Sequence, residues 1–223
     1  MSSNNLSSHI LPAKQVARIA TFAIVGIAYF LIAVIALHFL RPHYNPIRRL
    51  VSEYAVGPYA FLMTSAFFGL SLGSLALVIG LYQAVSRTWR SWLGLFFFGT
   101  WAVGIMIAGI FPVGSKNALT TASIHELASI LSFFSLVIAA LLLSWHFKQD
   151  EKWSSFHRPA LILSVLMLLA LIGFFWFVNT AYGGLSQRIF IAMVLMWLLL
   201  TASRLRYVAT GPLQNDKDKK DAG

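Results

Sequence analysis

The sequence predicts an all-α, polytopic membrane bundle of six transmembrane helices with a short outer interfacial helix, and three observations carry that reading. The chain has 223 residues, of which 58% are hydrophobic and 11% charged. With a mean hydropathy of +0.75 it is too apolar for one soluble domain. Six windows reach the roughly 20 apolar residues that cross a hydrocarbon core as a helix. None of them alternates with period two, so barrel strands are excluded, and helices satisfy their own backbone groups in lipid.

The first span, Ile19 to Leu40, follows a polar start with Lys14 and Arg18. It is too long for a signal-peptide core, and LHFLRPHY offers no small-x-small cleavage site, so the segment is expected to be retained. The second span, Ala60 to Tyr82, places Ser65, Gly69 and Gly73 four residues apart. The third, Trp92 to Phe111, does the same with Thr100, Gly104 and Ala108. Such stripes let backbones approach closely and mark helix contacts. The fourth span, Ile124 to Phe147, opens on Ser123 with Glu126 three residues on, a capping box. Pro159 to Asn179 is the fifth. The sixth, Leu185 to Leu205, follows the tight turn that Gly183 and Gly184 permit. The expected organisation is therefore a cytoplasmic segment 1–18, a membrane domain 19–206 and a polar, disordered tail 207–223.

Six spans put both termini on one face, and that face carries 12 of the 17 Lys and Arg. The positive-inside rule places it in the cytoplasm, which reads as an inner-membrane protein. The net charge of +10 comes from basic residues spread over loop ends, so membrane lipid explains it and nucleic acid is not expected as a partner. Trp89, Trp92, Trp145, Trp153 and Tyr207 are expected in an inner aromatic belt, and Tyr44, Tyr54, Tyr59 and Tyr182 in an outer one. The absence of cysteine excludes disulfides, thiolate metal sites and a cysteine nucleophile.

The unusual polar residues gather at the outer ends. In NPIRRLVSEYAVGPY, Asn45 is a good N-cap, Pro46 suits the first helical position, and Gly57 with Pro58 forms a stop. Ile47, Leu50, Val51 and Tyr54 make one apolar stripe at helical spacing, with Arg48, Arg49, Ser52 and Glu53 directed away from it. One reading is an amphipathic lid lying on the leaflet, Arg49 paired with Glu53 one turn on. The other is a site. In GLSQRIF, Gln187 precedes Arg188, a cation at the wrong end of a helix dipole and in need of a partner. Glu53 and Glu126 are the acids on this face, so Arg188 is expected to face the interior and pair with one of them. His125 has no evident structural task.

NPIRRLVSEYAVGPYAFLM, GIFP, HELAS and GLSQRIF, in that order, resemble the membrane-protein family catalogued as domain of unknown function 998. The likeness covers nearly the whole chain from the first span to the sixth. It implies a multi-helix prokaryotic membrane protein with no established reaction. It also implies an acidic residue after the Phe-Pro pair, where this chain has Val113 and Gly114, which puts any chemistry of that acid in doubt.

Three functions follow. The first is a site for an anionic amphiphile or lipid head group built from Arg48, Arg49, Ser52, Glu53, His125, Glu126, Gln187 and Arg188, since guanidinium groups suit phosphate. The second is a membrane-embedded hydrolase or transferase in which His125 is a general base beside Glu53 or Glu126, with Ser52 a possible nucleophile. No GxSxG, HExxH or phosphate-cradling glycine loop supports a named enzyme class. The third is a haem or metal protein using His38, His43 and His125. Their separations are not ligand-like, so no cofactor or metal is expected.

Overall fold

A computed structural model describes residues 11–113 and 118–221, without the side chains of 118–119 and 212–221. Six helices form: α1 (Ala13–Leu40), α2 (Ala60–Ala84), α3 (Trp89–Ile110), α4 (Ala118–Phe147), α5 (His157–Phe177) and α6 (Gly183–Asp221). All six are long and apolar enough to cross a membrane. Each packs on its neighbours in chain order and α6 returns to α1, which closes a ring. Its outside is apolar: Phe22, Ile32, Phe96 and Trp176 are all more than half exposed, a surface that only lipid tolerates.

The small-residue stripes lie at helix contacts. A Cβ on Gly26 would stand 2.4 Å from the Gly69 carbonyl, so α1 and α2 meet backbone to backbone. A Cβ on Gly104 would fall 2.0 Å from Ser132 Oγ, which sets α3 against α4. Several polar side chains inside the bundle bond across helix contacts, as is usual for lipid-embedded helices, although the buried Thr201 hydroxyl has no partner among the described residues. Ser71 Oγ donates to the Ala102 carbonyl at 2.7 Å, Trp101 Nε1 to Ser74 at 3.1 Å and Trp197 Nε1 to Ser144 at 3.2 Å.

The end bearing the chain termini is tied shut. Asp150, buried, accepts from the backbone N–H groups of Ser86 at 2.9 Å and Lys152 at 3.1 Å. His146, fully buried, lies 3.2 Å from both Ser86 Oγ and Thr88 Oγ1. These bonds join the α2–α3 and α4–α5 connections. The sequence pattern did not disclose this cluster, because its members are far apart in the chain.

Several expectations are corrected. The segment after Asn45 is not one amphipathic α-helix; it is a turn followed by a 3-10 helix, Val51–Ala55. Asn45 does cap the turn, accepting from the N–H groups of Ile47 and Arg48 at 3.0 and 3.3 Å. Leu50 is then extended, which breaks the stripe. The sequence stretch Ser123 to Glu126 does not open a helix, because α4 begins at Ala118, before the apolar run. Tyr44, Tyr54 and Trp153 are buried and so leave the aromatic belts, whereas Trp89, Trp92, Trp145, Tyr59, Tyr182 and Tyr207 are exposed as belt residues should be. Finally, α6 runs on to Asp221 through the stretch expected to be disordered. Extending a formed helix needs no new nucleus, so polarity alone does not stop it.

Candidate functional site

The segment 45–55 forms a roof over the end of the bundle away from the termini, and α6 holds it down. Leu185 N–H donates to the Ile47 carbonyl at 2.9 Å, and Val51 N–H donates to Gln187 Oε1 at 2.6 Å. Arg188 Nη1 donates to the carbonyls of Pro46 and Arg49, each at 2.7 Å, and of Gly184 at 2.9 Å. Gly184 is required here, since a Cβ would stand 2.3 Å from the Arg49 carbonyl oxygen. The roof and the first turn of α6 are thus one backbone-bonded unit.

This overturns the expected pairing of Arg188 with Glu53 or Glu126. Carbonyl oxygens carry enough partial charge to engage a guanidinium, and three converge on Nη1, while Nη2 is buried without a hydrogen-bond partner among the described residues. Arg188 Nε also donates to His38 Nε2 at 3.3 Å, and its Cζ lies 5.8 Å from the centre of the Tyr54 ring. His38 Nδ1 is 2.7 Å from the Val34 carbonyl, so Nδ1 carries the proton and Nε2 accepts. Glu53 takes another role: Oε1 accepts from Leu50 N–H at 2.9 Å and Oε2 from Arg49 Nη1 at 3.0 Å. The Arg49–Glu53 pair is the one expected of an amphipathic lid. Arg48 is exposed. Burial raises the phenol pKa values of Tyr44, just before the roof, and of Tyr54, within it; the Glu53 charge adds to this at Tyr44, and Arg188 opposes it at both.

Two cavities meet under the roof. One is a chamber of about 30 Å³ ringed by α1, α2, α3, α4 and α6, with Phe30, Phe67, Trp101 and Val194 among its walls. The other is a cleft of about 460 Å³ between α4 and α5, walled by Ile130, Phe174, Phe175 and Val178. Ser52, His125, Ser129, Phe133 and Gln187 line both, so they stand at the junction. Glu126 and Asn179 line the cleft alone. Of the eight expected site residues, Ser52, His125, Glu126 and Gln187 come together here, while Arg48, Arg49, Glu53 and Arg188 line neither cavity. Ser52, expected to face away from the apolar stripe, is buried because the 3-10 helix turns it inward. Ser129 was missed. Its position four residues after His125, on the same helix face, was the available signal.

The junction is polar and incompletely satisfied. Ser52, His125 and Gln187 are 8%, 4% and 5% exposed. His125 Nδ1 lies 3.0 Å from the carbonyls of both Ala108 and Phe111, which close α3. Carbonyls only accept, so Nδ1 carries the proton and Nε2 presents a lone pair. Among the described residues, His125 Nε2, Ser52 Oγ, Ser129 Oγ and Gln187 Nε2 have no protein partner, and none is sealed off from a water-sized body. No three of His, Asp or Glu among the described residues lie close enough to hold a metal ion. Gly114, where the resemblance implies an acid, lies outside the described residues.

Six lipid-length helices closed in a ring, with a polar junction beneath a bonded roof, define a multi-pass helical membrane protein. Residues 24–204 match the family described as protein of unknown function (DUF998), and the chain belongs to that family. Comparison with curated proteins finds no match, and neither does comparison with solved structures.

Proposed function

We propose that the protein binds a membrane amphiphile, its chain in the α4–α5 cleft and its polar head at Ser52, His125, Ser129 and Gln187. The observation that carries this reading is the set of polar side chains shared by an apolar-walled cleft and the chamber behind it. Ser52 Oγ, His125 Nε2, Ser129 Oγ and Gln187 Nε2 face the cavities and make no bond to protein among the described residues, so a ligand's head can supply their partners. The cleft volume of about 460 Å³ is in the range of small-molecule sites.

The lining also favours a class of head. Gln187 Nε2 donates, the two hydroxyls do either, and His125 Nε2 accepts, which suits a neutral head bearing hydroxyl or ester groups. An anionic head, the class suggested by three arginines at one boundary, meets Glu126 at the cleft, while Arg188 and Arg49 are engaged elsewhere. Lipid mass spectrometry after purification in mild detergent, with thermal-protection assays, tests this. A neutral monoacyl or diacyl glyceride should protect wild type and protect Gln187→Leu much less. Protection by phosphate-headed lipids alone would refute the neutral class, and no protection by either would refute binding.

We infer that the termini are cytoplasmic and the roof lies on the far side of the inner membrane, from the excess of basic residues on the terminal face. Reporter fusions after Arg87 and Lys152 should then read cytoplasm, and fusions near Arg49 should read the opposite side. The reverse pattern overturns the orientation.

A further inference from the structure

The chamber behind the cleft holds about 30 Å³, room for one water molecule and little else. A buried water needs two to four polar partners, and Ser52, His125, Ser129 and Gln187 offer that number at the junction. The imidazole is set for more than holding water. Its Nδ1 proton is fixed on two carbonyls, so the free lone pair is at Nε2. Those carbonyls belong to the last turn and C-cap of α3. The negative end of a helix dipole stabilises a positive charge on a ring placed there.

We propose that this junction hydrolyses a carboxylic ester of the bound amphiphile, with His125 as general base toward the chamber water; the inference rests on the binding reading above. His125 Nε2 takes a proton as the water oxygen bonds to the ester carbonyl carbon. The carbonyl π pair moves onto its oxygen, and Gln187 Nε2–H donates to that oxyanion. Collapse of the tetrahedral species breaks the bond from the carbonyl carbon to the alkoxy oxygen, and His125 returns its proton to the leaving alkoxide. One ester and one water give one carboxylic acid and one alcohol, with no change of oxidation state. The carbonyls of Ala108 and Phe111 do the work of a triad's carboxylate in holding the tautomer, and the helix end favours the imidazolium.

The test uses the full chain in mixed micelles with a fluorogenic medium-chain glyceryl ester, and the ether-linked analogue for thermal protection. His125→Asn keeps an N–H donor near the position of Nδ1, preserving the bonds to α3, and lacks Nε2. It should lose about 100-fold or more in kcat, the usual contribution of a general base. Protection by the ether should persist, and added imidazole should restore part of the rate. Gln187→Glu keeps the acceptor for Val51 N–H and removes the oxyanion donor; kcat should fall more than KM rises, whether or not His125→Asn folds. Ether protection without ester turnover by wild type overturns the hydrolytic inference and leaves binding intact. Turnover unaffected by both variants overturns it as well. Absence of both protection and turnover removes the binding reading too.

Discussion

Arg188→Gln is expected to lower the unfolding free energy of the detergent-solubilised protein by about 3 kcal/mol, because it removes charge-assisted bonds to three carbonyls, two of them at partly buried positions. The carbonyls of Pro46 and Arg49 lose their donor, and the roof is then held by Leu185 N–H and Gln187. Crossing this change with Glu53→Gln or Glu126→Gln should give additive effects within about 0.5 kcal/mol, since neither carboxylate touches Arg188. A coupling above about 1 kcal/mol with either acid would mean that the guanidinium is ion-paired after all. The Arg49–Glu53 pair should be nearly silent, as exposed i,i+4 pairs contribute about 0.3–0.5 kcal/mol. One arginine of this boundary therefore matters to the fold through backbone, and another hardly matters at all.

Gly26→Leu is expected to prevent α1 from docking on α2, so that the protein fails to accumulate as a folded, monodisperse species. Even a Cβ at this position meets the Gly69 carbonyl at 2.4 Å and Gly73 at 3.1 Å, and these are backbone atoms that cannot rotate aside. Gly26→Ala should cost about 1–3 kcal/mol, the ordinary penalty of overpacking. Gly99→Ala and Gly173→Ala are the controls, because an added Cβ meets nothing within 4 Å at either position. Size-exclusion profiles and thermal unfolding of the four variants separate the cases. Equal behaviour of Gly26→Ala and Gly99→Ala would show that the two helices are not in backbone contact.

The junction was half legible. His125 stood out because no local structural task accounted for it, and Gln187 lay in a motif that was already suspect. The arginines misled, since charge in an apolar chain draws attention and sequence cannot show that a donor is already satisfied by main-chain oxygen. Ser52 was assigned to the wrong face because a 3.6-residue period was applied across a segment that changes from a turn to an extended residue to a 3-10 helix. Gly114, by contrast, bears only on the resemblance.

What the sequence alone determined was the bundle: helix number and most span boundaries follow from runs of apolar residues, because in lipid the backbone must bond within its own segment. It also determined the close helix crossings, since small residues four apart occupy one helix face. The tertiary structure alone decided the site. Ser52, His125 and Gln187 are separated by up to 135 residues and meet only where the roof, α4 and the first turn of α6 converge. It decided the partner of Arg188 for the same reason. Backbone carbonyls carry no signature in a sequence, and which of them face a guanidinium depends on how the chain returns upon itself.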